Sequence, residues 1–525
     1  MQSGPRNPFL ADSSNPIGHG RSDQQDNVPW RGPEGPTETL DASALQYQWT
    51  GAGNFGQLIS PVYPDGRRVL WNNGRYRMYK LDYDTLEILS TLQFGEEADP
   101  SIAEMGELTA GLDEKDGWDA IEHAIGISMR FLTGLDGVYS LLDNTNTLFL
   151  GRKDHVAAYI EADPTDRASA ILERDQWNRP DHIAGFFVGM GMTFDGRLVV
   201  TTDHGWVICL ARDFSDYEAI QLPRAGEEAA DYCAMRAEER GNSAYGWLRT
   251  SLCVDDNNAI YTSSNDHHHK VVWTGERLSL DEADGGWSIP YRNGGGLGSG
   301  TTPSLMGFGP DEDHFVVFGD GDDVVNITYA WRDDVPDDWQ QLPNAPDRRI
   351  AGIGPANMGN PDLVEIKTEQ SITVSGYGAM TVNNEPATRP DGFPPQAGRM
   401  LCFLLGHKPE YTPYGLHKYE WNPVERRLDE AWVNTDVSSP NSVPFVSQES
   451  DIVYTCGVRD GKWSIEGIDW TTGESRFYYV MGGSQFNTLG AGVTIDEDGR
   501  LLFGTIFGKT RILRGPGPSS STDDS

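Results

Sequence analysis

The sequence predicts an all-β fold made of repeated four-stranded units. Short strand-like runs recur along most of the 525 residues, at a period of roughly 45–70 residues. In most units, the turn between the first two strands contains Asp, Asn and Gly, which tolerate the positive φ of tight hairpins. The 60 glycines and 31 prolines also suit many short strands joined by turns. These observations predict an eight-bladed β-propeller with antiparallel blades.

The first unit shows the pattern most clearly. Its first three strands are predicted at Leu58–Tyr63, Arg68–Trp71 and Tyr76–Leu81, with an Asp-Gly turn and an Asn-Gly turn between them. Later units are predicted to start near Val138, Val188, Ser251, Ser304, Ser371, Val443 and Thr488. A seven-bladed ring is the alternative if the eighth unit shares its closure with the strand Leu45–Trp49.

The repeats divide the chain into three parts. Residues 1–45 are rich in Pro, Gly, Asn and Asp and predict an extended arm that wraps the surface. Residues 46–515 form the propeller. Residues 516–525 are a Pro/Ser/Asp tail that we expect to be disordered.

Two segments interrupt the strand pattern with apolar residues at helical spacing. They lie in 103–132 and 227–240, each between the last strand of one unit and the first strand of the next. Because strands alternate in direction, such connections lie on the same face of a propeller as the turns between second and third strands. We therefore expect helical insertions on the face that carries those turns.

One motif resembles those of known propeller families. Asp469-Trp-Thr-Thr-Gly473 follows a predicted strand and is similar to the Asp-x-x-Thr-Gly of quinoprotein-type and YVTN-like repeats, and Asp82-Tyr-Asp-Thr85 is a degenerate copy. The resemblance implies the propeller architecture. It implies no particular reaction, because proteins with unrelated functions share the motif.

Composition limits the partners of the protein. The formal net charge of −38 repels nucleic acid and anionic membranes. No apolar run is long enough to cross a bilayer, and the N-terminus shows no secretory signal. Five widely spaced cysteines predict reduced, largely buried thiols. We therefore expect a cytoplasmic protein that binds a small molecule.

Histidines form the predicted catalytic group. Asp154-His155, Asp203-His204 and Asp266-His267 occupy equivalent turns in three consecutive units, and histidine beside a carboxylate suits proton transfer. We predict His204 and Asp203 as catalytic residues, assisted by His155 and His267. The predicted substrate-binding residues, which the repeat pattern places near this face, are His407, His268, Trp206 and Asp320.

A metal site is predicted at the channel wall, where the first strands of the units begin. Glu369, Asn441 and Asn487 fall at such positions. Propeller hydrolases of the lactonase and gluconolactonase type hold calcium on the axis with such oxygen ligands. By analogy with those hydrolases, we predict Ca²⁺ or another divalent cation on these three residues.

Together these features predict an enzyme that acts on a small organic molecule at the helix-covered end of the channel. Hydrolysis, lactone opening and lyase or isomerase steps all fit histidine and aspartate groups, with or without a metal. The sequence contains neither a Gly-x-Ser-x-Gly elbow nor a His-Glu-x-x-His motif. The alternatives are a scaffold that binds a protein partner and a quinone-dependent dehydrogenase-like protein.

Overall fold

Eight antiparallel sheets, numbered blade 1 to blade 8 in chain order, make up most of the computed structural model, which describes residues 2–53, 56–240, 246–394 and 397–516. Within each blade, the first four strands pair in order, and the first is called the inner strand; blade 4 has a fifth strand that pairs with its third. Blades 1 to 4 contain Leu58–Ile59, Val69–Asn73, Arg77–Asp82 and Ile88–Gln93; Ser140–Leu142, Leu148–Gly151, His155–Glu161 and Ile171–Asn178; Phe187–Met192, Leu198–Thr202, Trp206–Leu210 and Tyr217–Gln221; Cys253–Val254, Ala259–Ser263, His267–Trp273, Leu278–Ser279 and Trp287–Pro290.

The second half of the chain continues the same order. Blades 5 to 8 contain Ser304–Met306, Phe315–Gly319, Asn326–Trp331 and Ile350–Pro355; Thr373–Ser375, Gly378–Val382, Tyr414–Asn422 and Arg427–Ser438; Phe445–Ser447, Ile452–Arg459, Lys462–Asp469 and Ser475–Gly482; Thr494–Ile495, Leu501–Gly504 and Gly508–Ile512. Leu45–Trp49 pairs with Gly508–Ile512 as the fourth strand of blade 8. The prediction of eight blades is confirmed, and the seven-bladed alternative is wrong.

Aspartates fix several of the turns that follow the inner strands. Asp143 Oδ1 accepts the Thr145 and Thr147 amides, each at 2.9 Å. Asp255 Oδ1 accepts two amides in the equivalent turn of blade 4, and Asp496 Oδ1 does so in blade 8. A short side chain that bonds backbone amides two and four residues ahead stabilises a tight turn locally. This is the physical basis of the Asp-rich repeat.

Eight hydrophobic clusters of the described residues lie between neighbouring blades, one at each interface. Trp71 and Tyr159, for example, pack between blades 1 and 2, and Leu502 of blade 8 packs on Ile59 of blade 1. Six further clusters fill the other interfaces. Since both faces of a blade are covered, most strands are buried along nearly their whole length.

In the described part of the chain, four α-helices cover the face that carries the turns between second and third strands. Helix α1 (Ile102–Glu114) and helix α2 (Gly117–Ile127), extended by one π-helical turn (Ser128–Leu132), join blades 1 and 2. Helix α3 (Ala225–Arg240) joins blades 3 and 4, and helix α4 (Gly398–Leu405) lies within the long connection of blade 6. Both predicted helical segments are confirmed. Helices α1, α2 and α4 share one apolar cluster with Phe507 of blade 8.

The N-terminal arm, defined here as residues 2–44, follows a different path from the one expected. Residues 15–26 line the channel at the ends of the inner strands instead of wrapping the outer surface. Six inner-strand amides, one each from blades 1, 2, 4, 5, 6 and 7, donate hydrogen bonds to arm carbonyls: Ile59 to Asn15, Leu142 to Pro16, Val254 to Ser22, Leu305 to Asp23, Val374 to Gln25 and Val446 to Asp26. The arm therefore passes most blades in ring order.

Beyond the channel, the arm crosses to the outside of blade 7. Asn27–Val28 adds a short parallel strand to the inner edge of that blade, and Glu38–Thr39 adds another to its outer edge. The segment then reaches Leu45–Trp49 in blade 8. Of the predicted tail, residues 517–525 lie outside the described residues.

All five cysteines are free, and four of them are buried. Cys233 on helix α3 is partly exposed. Among the described residues, the structure contains no helix with the length and hydrophobicity of a membrane span.

A buried ion pair joins blades 1 and 2 and gives a stability prediction. Lys80 Nζ contacts Glu161 Oε1, and their side chains are 0% and 2% exposed. We expect Lys80→Met to lower the free energy of unfolding by about 3–5 kcal/mol, because it leaves an uncompensated buried carboxylate. Arg130→Met is the matched control, since Arg130 and its partner Glu104 are 53% and 40% exposed. Its effect in denaturant titration should stay below about 1 kcal/mol; equal losses for both variants would contradict the prediction.

Candidate active site

A cavity of about 150 Å³ lies on the propeller axis and is named the axial cavity. Its floor is formed by the arm, which contributes Asn15, Gly18, His19 and Asp26. Its walls come from the segments at or before the inner strands of blades 1, 2, 5, 6, 7 and 8. The cavity therefore lies between the arm at one end of the channel and the helix-covered face at the other.

Three residues of the axial cavity form a continuous chain of hydrogen bonds. His19 Nδ1 lies 3.0 and 3.1 Å from the two carboxylate oxygens of Asp26. His19 Nε2 lies 3.3 Å from Ser371 Oγ, two residues before the inner strand of blade 6. With the proton placed on Nδ1, the imidazole donates to Asp26 and accepts from the serine hydroxyl. This is the order of groups in a serine–histidine–aspartate relay.

The arm bends back to bring His19 and Asp26 together. The Asp26 amide donates to the His19 carbonyl at 3.3 Å, which closes a loop over residues 19–26. Both residues have positive φ, 61° and 56°, a conformation that is uncommon outside glycine and persists where surrounding contacts fix it. Burial raises the pKa of Asp26, and the neighbouring His19 opposes that shift.

Glu369 closes one side of the axial cavity and is paired with two arginines. Arg249 Nη1 lies 2.9 Å from both carboxylate oxygens of Glu369, and Arg399 Nη1 contacts Oε1. Arg399 comes from helix α4, so the pair ties that helix to the channel wall. A carboxylate neutralised by two guanidinium groups is a poor ligand for a cation.

A second pocket, of about 270 Å³, lies beside the axial cavity and is named the side pocket. Val138 and Tyr139 line both, so the two are neighbours. Phe186, Phe187 and Leu248 give the side pocket an apolar wall. Burial raises the pKa of the Tyr139 hydroxyl, so it stays neutral and acts as a hydrogen-bonding group. Such an apolar pocket with few polar groups suits a small organic ligand.

The three predicted Asp-His turns lie where the sequence placed them, but the histidines do not converge. In each turn, His Nδ1 bonds the preceding Asp, at 2.8 Å for His155, 2.6 Å for His204 and 2.8 Å for His267. Among the described residues, no hydrogen bond, ion pair or ring contact joins these histidines to one another. The structure thus does not assemble the predicted four-residue catalytic group.

Of the three turn histidines, His204 is the one with a cysteine neighbour among the described residues, Cys233 of helix α3. Ligand atoms of Asp203, His204 and Cys233 all lie within 4.8 Å of one another. The hydrogen bond to Asp203, with a smaller contribution from Cys233, raises the pKa of His204 to about 10. Asp203 also lines the side pocket, whereas the other two residues do not.

The predicted substrate-binding residues are mostly parts of the core. His268 stacks on Phe318 at 4.4 Å, and burial keeps its pKa well below the ordinary value. Burial lowers the pKa of His407 to about 4. Trp206 packs with His182 in the core between blades 2 and 3. Asp320 accepts the Asn326 amide at 2.8 Å inside its own turn, and burial raises its pKa to about 7.

The predicted metal ligands do not form one coordination shell. Asn441 Nδ2 donates to Asn487 Oδ1 at 2.6 Å, and both side chains donate to the Phe403 carbonyl at 2.8 Å. They therefore hold the segment of helix α4 against blades 7 and 8. Glu369 is bound by the two arginines instead. These residues do not fit a calcium ion held by all three side chains.

Sequence reasoning missed His19, Asp26, Arg249, Arg399 and Cys233. The arm and helices α3 and α4 carry no repeat, so position within a blade does not place His19, Asp26, Cys233 and Arg399; Arg249 lies four residues before the inner strand of blade 4. Ser371 lies in a segment that the sequence predicts at the channel wall. Its histidine partner is 352 positions away in sequence, so no local pattern connects the two residues.

Comparison with known proteins identifies one clear relative. No family model matches the chain. An uncharacterized protein of Archaeoglobus fulgidus is 30% identical over 387 residues, which is 72% of this chain and 70% of that protein.

One solved structure supports the fold, and a second shows a weaker similarity. The quinohemoprotein alcohol dehydrogenase from Comamonas testosteroni aligns with a TM-score of 0.52 and 12% identity, over 98% of this chain and 82% of that one. A europium-containing methanol dehydrogenase aligns with a TM-score of 0.47 and 10% identity, over 96% and 98% of the two chains. The fold is thus a β-propeller similar to that of the quinohemoprotein dehydrogenase, and the sequence motif implied this architecture. By its sequence, the chain belongs to the same family as the uncharacterized Archaeoglobus fulgidus protein.

Proposed function

We propose that the protein is an enzyme that hydrolyses a small ester or lactone in the axial cavity, with Ser371 as the nucleophile. The observation that carries this proposal is the unbroken Asp26–His19–Ser371 chain of hydrogen bonds. All three residues line the same cavity. The Ser371–His19 distance of 3.3 Å is slightly long for a hydrogen bond, as is common before substrate binds.

The reaction follows from the positions of these groups. His19 Nε2 takes the proton of Ser371 Oγ as the oxygen attacks the carbonyl carbon of the ester. The bond to the leaving alkoxide then breaks, and the alkoxide takes the proton from His19. Water attacks the acyl-serine with His19 again as the base, which releases the carboxylic acid and regenerates the hydroxyl. Asp26 holds the Nδ1–H tautomer and stabilises the imidazolium that forms twice in the cycle.

The two cavities indicate the kind of substrate. The axial cavity is small and polar at Ser371 and His19, so it suits the carbonyl group and a short acyl or lactone ring. The neighbouring side pocket has an apolar wall and suits the remainder of the substrate. Val138 and Tyr139, which line both, would contact the substrate where it passes from one to the other.

Labelling with a fluorophosphonate probe tests the proposal. We expect covalent modification of the folded protein at Ser371, located by mass spectrometry of its peptides, and none in Ser371→Ala. Ser140→Ala is the matched control, because Ser140 lines the same cavity on blade 2 and should leave labelling unchanged. Absence of labelling, or labelling that survives Ser371→Ala, would count against a serine nucleophile at this position.

The two alternatives have weaker support. The dehydrogenase-like reading rests on a likeness at 12% identity, which concerns the fold and not the reaction. A scaffold that docks a protein partner does not require the buried Asp26–His19–Ser371 hydrogen bonds of the axial cavity. We therefore propose hydrolysis in preference to both.

A further inference from the structure

The cluster of Asp203, His204 and Cys233 lies outside the axial relay and has no part in the proposed hydrolysis. Asp203 and His204 form the turn between the second and third strands of blade 3, and Cys233 lies on helix α3. The Cys233 thiol donates to the Asp203 carbonyl at 3.5 Å, and His204 Nδ1 lies 2.6 Å from Asp203 Oδ1. The three side chains thus meet where the helix packs on the turn.

Neighbouring blades show that this cluster is not a by-product of the Asp-His turn. Blades 2 and 4 have the same turn, with the same His–Asp hydrogen bond at 2.8 Å. In blade 4, His267 faces Arg224 and stacks on His269. Among the described residues, a cysteine joins the Asp-His pair in blade 3 alone. The helix between blades 3 and 4 supplies it.

Two glycines allow the groups to approach so closely. A Cβ at Gly185 would lie 2.2 Å from Asp203 Oδ1 and 2.7 Å from His204 Nδ1, and one at Gly246 would lie 2.3 Å from Asp203 Cβ. The backbone on both sides of the carboxylate therefore packs against it without an intervening side chain. Close packing of the backbone around Asp203 and His204 holds their oxygen and nitrogen atoms in fixed directions.

We propose that Asp203, His204 and Cys233 bind a divalent metal ion of the zinc type. Carboxylate oxygen, imidazole nitrogen and thiolate sulfur are the ligands that Zn²⁺ takes in proteins, and their separation within 4.8 Å allows one ion to contact all three. Binding displaces the proton shared by Asp203 and His204 and the thiol proton of Cys233, so the metal replaces protons in the cluster.

Three protein ligands leave the fourth position of a tetrahedral ion open. Zinc sites that act on substrates have this composition, whereas structural sites have four protein ligands. Asp203 lines the side pocket, so an ion on its carboxylate lies next to that pocket. A water molecule, or an oxygen or nitrogen atom of a ligand in the side pocket, would complete the coordination.

Metal titration of the full chain tests this proposal without reference to activity. After treatment with a chelator, the protein should bind one Zn²⁺ in competition with a chromophoric chelator. Cys233→Ser and His204→Ala should each weaken the affinity at least about tenfold. His155→Ala is the matched control, since it removes the histidine of an equivalent Asp-His turn, and it should leave the affinity unchanged.

Cobalt substitution gives a second readout that a structural effect would not produce. Co²⁺ bound to the native chain should show a thiolate-to-cobalt charge-transfer band, which Cys233→Ser removes while the circular dichroism of the fold stays the same. The proposal is overturned if the native chain binds no Zn²⁺, or if Cys233→Ser binds Zn²⁺ and Co²⁺ as the native chain does. Since Ser371→Ala should bind metal normally, failure here leaves the hydrolase proposal standing.

Discussion

Replacing Ser371 with alanine should lower kcat for the hydrolysis of p-nitrophenyl acetate or a small lactone by about 1,000-fold or more, because the nucleophile of the relay is removed. His19→Gln should cause a loss of similar size, since glutamine cannot take the serine proton. Asp26→Asn leaves the shape of the site but favours the wrong imidazole tautomer, and should lower kcat by about 10⁴-fold. Steady-state kinetics with each purified variant measure these losses.

The double variant Ser371→Ala with His19→Gln distinguishes a relay from separate contributions. In a relay the second substitution costs little once the first is made, because the groups act as a unit. Ser140→Ala, in the same cavity, should retain kcat. Losses that multiply in the double variant, or full activity in Ser371→Ala, would show that these groups do not act together on the substrate.

Most of the fold could be predicted because each blade depends on local sequence patterns. Asp, Asn and Gly mark the turns, and each blade carries its own copy, so the start of an inner strand such as Ser304 is predicted to the residue. Blade 8 was harder. Its inner strand begins at Thr494 instead of Thr488, because residues 488–493 continue a loop whose Asn487 bonds the Phe403 carbonyl of helix α4.

The site could be predicted only in part, for a physical reason. Because successive strands alternate in direction, the strand order predicts the face on which a turn lies. It correctly predicts that His155, His204 and His267 lie on the helix-covered face. It does not tell where a side chain points, and each of these histidines is bound by the aspartate before it. The relay depends on the arm, whose contacts with successive blades are unevenly spaced, at residues 15, 16, 22, 23, 25 and 26, and so give no periodic pattern.

Because the arm contacts six blades, its removal should strongly destabilise the propeller. Deleting residues 2–28 should lower the free energy of unfolding by about 3–9 kcal/mol, since six inner-strand amides lose their acceptors at a net cost of about 0.5–1.5 kcal/mol each. The buried side chains of Leu10, Ile17 and Val28 add apolar contacts that are lost as well. For a domain of ordinary stability this is a large fraction of the total. Denaturant titration of the truncated chain measures it.

Two controls separate the backbone of the arm from its side chains. His19→Gln keeps every carbonyl in place, so its loss of stability should be much smaller than that of the truncation, while it loses activity. A peptide of residues 2–28 added to the truncated chain should raise its melting temperature in a concentration-dependent way, as expected for a ligand that binds the folded state. A truncated chain as stable as the native one would mean that inter-blade packing alone holds the propeller. The predicted pattern instead gives the arm two functions in one segment: its carbonyls tie the blades together, and its side chains complete the axial cavity.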